Sequence, residues 1–495
     1  MAEQTQRAPL TSPRPVADPL ATGAYCLAAL ALALAPTQLT VPLRGVPIHP
    51  AEPLLAVAAL LWFIQRLRDR DWSSLPPLPL WGVVATIGLG VCAPRDGFAW
   101  GVLKEAVQAI LYLLVAVTVF RATLTTPARI RGAAFALLAT TTLAVALGVA
   151  QRVTLARHYQ PDPTKRLVFA TAGARSETLP PGAADGDQFG YWDADGFHPC
   201  GRFQAYLTAQ IPAQVCSTFG HWSDHGYHPS RTAYGTFLAL VLPLALALGV
   251  TATRRWVRVW LALLGLGAAA SLLAGFVLLP LLVGLLVTAW ALGARVLQGT
   301  LLAIALFLGV AWGVGGLTRS ELLQEPFRPL ISAQEATFRY ADGTRHLKKF
   351  WGEQQAALNL LRATPLLGVG AGQYQARIAN GYDLLGAIDS QRLESDAHNG
   401  YLLTAASTGL LGLIALLACL GAFWGRMKAV LRAGPVSPEL AAVCGGFVAL
   451  VAVLCVTYPF IRGLSLVIAA LLALLWNAPH AGAPRIEAED GDAAA

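Results

Sequence analysis

Charge is what this chain has least of. Only 13% of its 495 residues are ionisable while 55% are apolar, and the apolar residues gather into repeated runs of about twenty. That is the length a helix needs to cross the hydrocarbon core of a bilayer, so the composition is that of a polytopic membrane protein surrounded by lipid. No nucleic-acid partner is indicated: the excess of +8 is divided among short Lys and Arg clusters between apolar runs, which is how membrane topology is set. Ionisable residues at mid-depth are nearly absent, Lys104 and Glu105 standing close to the start of an apolar run, and no internal repeat is found; both absences weigh against ion-coupled transport. The N-terminal MAEQTQRAPLTSPRPVADPL has no short apolar core followed by a small-residue cleavage site, so the first apolar run reads as a retained anchor. The seven cysteines lack metal-like spacing. Cys26, Cys92, Cys419, Cys444 and Cys455 lie in apolar runs as small hydrophobes, whereas Cys200 and Cys216 share a polar loop in which an oxidising compartment would permit a disulfide.

What is present is an all-α pattern of about twelve spans, near 20–38, 51–66, 79–93, 100–120, 130–150, 232–250, 256–272, 275–293, 299–317, 400–424, 438–457 and 461–477. The basic clusters at 65–71, 121–131, 253–258, 293–297 and 425–434 fall on one side if both termini are cytoplasmic. The chain then divides into a cytoplasmic N-terminus (1–19), five helices (20–150), a large external loop (151–231), four helices (232–317), a second large external loop (318–399), three helices (400–477) and an acidic tail (478–495). In the second loop, apolar Phe350, Ala357, Leu358 and Leu361 at helical spacing predict a helix over 345–364 lying along the membrane surface. The PLLGVGAGQY that follows (365–374) has glycines that permit close backbone approach but precedes no βαβ unit, so it is read as a tight re-entry segment.

Two clusters suggest chemistry. HWSDHGYH places His221, Asp224, His225 and His228 within eight residues, and His221 with His225 would chelate zinc if helical, although Gly226 and Pro229 favour a turn. Aromatic residues, among them Trp222 and Tyr234, enrich the first loop and its exit, where they serve either as stacking faces for sugar rings or as interfacial anchors.

Three stretches carry a family resemblance: Trp351 with AAL and PLLGVGAGQY, AHNGYLLTAASTGLLGL (397–413), and STFGHWSDHGYHPSRTAYGTFLALVLPLALAL (217–248). Together they resemble the O-antigen ligase and polymerase superfamily of bacterial envelope glycosyltransferases. The resemblance implies an inner-membrane enzyme that takes a glycan from undecaprenyl diphosphate and passes it to an acceptor hydroxyl, on lipid A-core or another molecule, at the periplasmic face. It implies neither metal nor other cofactor. Losing the diphosphate throws negative charge onto the leaving group, and without a metal that charge needs fixed cations, for which arginine's planar fork is suited. Arg231, at the entry to the sixth span, and Arg345, near Trp351, are the foremost candidates for the donor, with Arg202 and Arg319 beside them. His398 is the candidate base, since neutral imidazole is available at neutral pH; Asn399 either orients it, binds a sugar or caps the following helix. Trp222, Tyr234 and Trp351 are candidate glycan contacts. The chain departs from the family in two places: Ser271 has no arginine after it where a Ser-Arg-Gly is common, and Ser407-Thr408 stand where a glutamate is frequent. A polymerase of the same superfamily, a lipid-linked glycan flippase and an inactive relative with an assembly role are the alternatives.

Overall fold

A computed structural model describes residues 18–37, 41–43, 46–90, 100–158, 166–171, 174–176, 188–193, 196–202, 231–271, 275–318, 335–340, 343–383, 397–460 and 462–478. Every apolar run named above contains a helix: α1 (Pro19–Leu34), α2 (Ala51–Asp69), α3 (Leu78–Leu89), α4 (Trp100–Ala109), α5 (Val117–Thr123), α6 (Pro127–His158), α7 (Arg231–Thr251), α8 (Arg255–Ser271), α9 (Gly275–Leu292), α10 (Ala294–Thr318), and later α13 (Gly400–Arg432), α14 (Pro438–Val453) and α15 (Arg462–Asn477). The π-helical turn Ile110–Ala116 joins α4 to α5. Among the described residues five helical stretches are long and apolar enough to cross a membrane, Pro19–Thr37, Leu103–Thr123, Pro127–Ala150, Ala233–Thr251 and Gly400–Arg432, and five further apolar helices are shorter.

Local chemistry sets several of these boundaries. Asp18 accepts from Leu20 N at 3.0 Å with Pro19 in the first turn, and Ser437 accepts from Leu440 N at 3.3 Å ahead of Pro438, both capping amides that a helix start leaves unpaired. In lipid, helices associate through close packing of small residues. The central contact follows that rule: α14 brings Gly445 and Ala449 against Gly284 of α9, so that a Cβ on Gly284 would stand 2.9 Å from Ala449 Cβ and 3.0 Å from Gly445 O. Helix α7 packs against both, and Phe237, Phe423, Phe447 and Leu450 are buried in the same core.

The basic clusters of 121–131 and 425–434 meet at one end of this bundle. Arg121 donates to Ser73 O at 3.1 Å and to Asn477 Oδ1 at 3.0 Å, Arg426 donates to Trp476 O at 2.7 Å, and Arg131 pairs with Glu439. Helix α13 runs from the opposite end, where it starts at Gly400, to Arg426 and Arg432 at this one.

The bundle is helical, but the long connections are not purely so. Residues 166–202 contain an antiparallel sheet in the order β4-β3-β5-β6, from β3 (Arg166–Thr171), β4 (Ala174–Ser176), β5 (Gln188–Asp193) and β6 (Gly196–Arg202). Two further hairpins pair β1 (Val41–Leu43) with β2 (Val46–Ile48) and β7 (Glu335–Tyr340) with β8 (Gly343–Lys348). In both β5–β6 and β7–β8 the second strand opens on a glycine that follows Ala-Asp in the sequence, with Asp193 opposite Gly196 and Tyr340 opposite Gly343. The helix expected over 345–364 therefore starts later, as α11 (Lys349–Ala363), because 345–348 belong to β8. After α11 come the tight turns of 364–373 and α12 (Tyr374–Asp383).

Candidate active site

Helix α13 is interrupted at Gly409, where φ is 71° and ψ −171°. In an unbroken helix the carbonyls of Ala406 and Ser407 would accept from Leu410 and Leu411. Here they accept from Val369 N and Gly370 N, each at 2.9 Å, while Leu410 N and Leu411 N donate to Pro365 O at 2.8 Å and Leu366 O at 3.4 Å. Pro365 O and Leu366 O are themselves the acceptors that Val369 and Gly370 would use in a helix. Two helical turns have thus exchanged hydrogen bonds, and each satisfies the groups the other has freed, as backbone away from water must be. A glycine stands at the matching place in each turn. Gly368 has φ +64° and its missing Cβ would lie 2.5 Å from Ala406 O; Gly409 has φ +71° and its missing Cβ would lie 2.1 Å from Leu366 O.

The start of α13 is held just as firmly. Asn399 Oδ1 accepts from Leu402 N at 3.0 Å, so the residue is the N-cap. Gly400 N donates to Leu454 O at 2.7 Å, fixing this helix start to the end of α14, and a Cβ on Gly400 would come within 2.6 Å of Thr457 O. The adjoining Tyr458 has its phenol pushed above the ordinary tyrosine range by burial and then by the charge of Glu105.

His398 precedes the cap in a left-handed conformation, φ 45°, and its Nδ1 lies 2.8 Å from Glu353 Oε2. Glu353 is 1% exposed. It projects from α11 on the same face as Ala356, Ala357 and Leu360, which form a small second core with Val369, Tyr374, Ile378, Ala397 and Ala406. The His398 side chain keeps 20% of its surface exposed, so the imidazole bridges a buried carboxylate and the solvent-facing rim. The turn exchange locks α13 to the 365–370 segment, and α11 ends where that segment begins, so His398 and Glu353 are held on one rigid unit.

The other expected residues are placed as follows. Arg231 is the first residue of α7. Tyr234, one turn later, is 1% exposed and its hydroxyl lies 2.7 Å from Ser271 Oγ, the last residue of α8. That bond sets the start of α7 beside the end of α8. Arg345 lies on β8 opposite Phe338, Arg202 ends β6 opposite Gln188, Cys200 is on β6, and Trp351 is in the first turn of α11. Arg319, Trp222, Cys216 and the quartet His221, Asp224, His225 and His228 lie outside the described residues. Among the described residues no group of three or more His, Cys, Asp and Glu has metal-site geometry.

Sequence reasoning missed Glu353. The buried stripe of α11 includes Glu353, Ala356, Ala357 and Leu360; of the expected apolar positions Phe350, Ala357, Leu358 and Leu361, Ala357 lies on it, while Leu358 and Leu361 are half-buried. The signal available was a carboxylate three, four and seven residues before small or apolar positions, which reads as an exposed glutamate until the partner helix is known.

Residues 269–417 match the family model described as O-antigen ligase. The match takes in Ser271, both exchanged turns, Glu353, His398 and Asn399, and leaves the 217–248 stretch outside. No curated protein matches the chain.

Proposed function

We propose, from the match of residues 269–417 to the O-antigen ligase family model, that this chain is a glycosyltransferase of the O-antigen ligase and polymerase superfamily, and that it carries out a metal-independent, inverting transfer of a glycan from undecaprenyl diphosphate to an acceptor hydroxyl. The site faces the periplasm from the inner membrane, in a chain of about twelve spans. The observation that carries this reading is the position of His398 at the end of the bundle opposite the 121–131 and 425–434 basic clusters, on a helix start fixed by its cap, by the α14 end and by the exchanged turns.

In this reading the acceptor hydroxyl gives its proton to His398 as its oxygen attacks the anomeric carbon from the face opposite the diphosphate. The bond to the phosphate oxygen breaks and its electron pair leaves with the diphosphate. Arg231 receives that charge, a role supported by the Tyr234–Ser271 contact beside the missing Ser-Arg-Gly arginine. Arg202, Arg319 and Arg345 complete the donor side, and Trp351 and Trp222 the glycan contacts. Asn399 positions His398 through its cap. Tyr234 acts as a joint between helices, since its ring is buried in the core. The acceptor distinguishes lipid A-core ligation from polymerisation onto another carrier-linked glycan.

Incubating purified protein with undecaprenyl-diphosphate glycan and a panel of acceptors tests this. Transfer that survives chelator is expected. Chelator-sensitive transfer would restore the zinc alternative, and absence of transfer to every acceptor would favour the flippase or inactive-relative reading.

A further inference from the structure

We propose that Glu353 is the positioning residue of His398, fixing which imidazole nitrogen serves as the base and holding the imidazolium that forms; this rests on the transferase reading above. A carboxylate can only accept, so a 2.8 Å contact between Glu353 Oε2 and His398 Nδ1 assigns the proton to Nδ1. Nε2, on the opposite edge of the ring, is then the nitrogen that takes a proton from the acceptor hydroxyl. The balance is simple: the hydroxyl proton goes to Nε2, the Nδ1 proton stays where it is, and the cationic ring is matched by the carboxylate charge until Nε2 releases its proton to water.

Three observations separate this from an incidental ion pair. Glu353 is 1% exposed beside a core of alanine, leucine, valine and isoleucine with one tyrosine, Tyr374, where a carboxylate costs several kcal/mol unless it is paired. His398 is one of two non-glycine residues with positive φ among those described. The other, Arg70, is at a helix C-cap, where that conformation is routine; His398 ends no helix, and its backbone strain serves to turn the ring toward α11. Finally, the two residues lie 45 positions apart in sequence and are brought together by the exchanged turns, whose glycines admit no side chain.

The test is a double-mutant cycle on the full-length purified protein, with transfer kinetics as the readout. Glu353→Gln preserves shape but lets the amide donate to Nδ1, selecting the wrong tautomer. A fall in kcat on the order of a hundredfold is expected, with KM for donor and acceptor little changed. Glu353→Asp, keeping the charge, should recover part of the loss. The double variant Glu353→Gln/His398→Ala should be no slower than His398→Ala alone, because the carboxylate acts only through the ring. A folded Glu353→Gln enzyme at full rate overturns the proposal, and so do losses that simply multiply in the double variant. If Glu353→Gln does not fold, the Glu353→Asp cycle is read by the same two criteria. An active His398→Ala enzyme would instead overturn the base assignment, so the two failures are distinguishable.

Discussion

Asn399 was open to three roles, and the geometry favours one of them: its side chain accepts from Leu402 N, which makes it a helix cap. Substituting alanine removes that acceptor and is expected to cost about 1 kcal/mol, read as a lower melting temperature in detergent. Serine should restore both stability and transfer, since it caps equally well. A serine variant that is stable but inactive would assign the amide to the sugar instead. At Arg231 the expectation concerns the donor. A hydrogen bond to a charged group contributes about 1.5–3 kcal/mol, so Arg231→Ala should lower kcat/KM for the lipid-linked glycan by roughly ten- to a hundredfold. Lysine should recover little, because a point charge does not reproduce the planar fork. Unchanged donor kinetics in Arg231→Ala would move the diphosphate to other arginines.

Among the elements, the exchanged turns explain why PLLGVG and STGLLG occur together in one chain: each is the other's hydrogen-bond partner. Gly368→Ala or Gly409→Ala forces a side chain into a left-handed position and onto a carbonyl oxygen. Each should sharply reduce the yield of folded protein, and the pair together should be little worse than either alone, because the first change already breaks the exchange. Additive losses in a fluorescence-detected elution assay would contradict it. The helices were legible from apolar runs because lipid demands length and apolarity and little else. His398 and Asn399 were singled out by their place before a long apolar run together with the AHNGYLL resemblance, residue type alone leaving a purely structural role open. The exchange was not, since it joins residues some forty positions apart through backbone groups, and side-chain patterns do not record backbone partners. Glu353 was hidden for the same reason: its burial depends on α12 and α13, not on the periodicity of α11 alone. The hairpins at 188–202 and 335–348 lack the long apolar runs that mark the helices, and Ala-Asp-Gly between the strands is the sequence feature they share.

For the whole molecule, the two ends of the bundle differ in kind. At one end arginines bond helix ends and loops together: Arg121 ties Ser73 to Asn477, and Arg426 caps the carbonyls that finish α15. At the other end the start of α13 and the 365–370 segment hold a histidine against a buried carboxylate. A bundle of this sort separates scaffold from chemistry: arginines tie helix ends together at one end, and the proposed reaction is assigned to the other. The central claim is that His398 is the base of glycan transfer. Its most direct test is the initial rate at which purified His398→Ala protein moves glycan from undecaprenyl diphosphate to an acceptor, measured beside wild type at matched elution profile and melting temperature. Loss of transfer, by at least the hundredfold that general bases typically contribute, is the predicted result; a folded His398→Ala protein transferring at the wild-type rate would contradict the account.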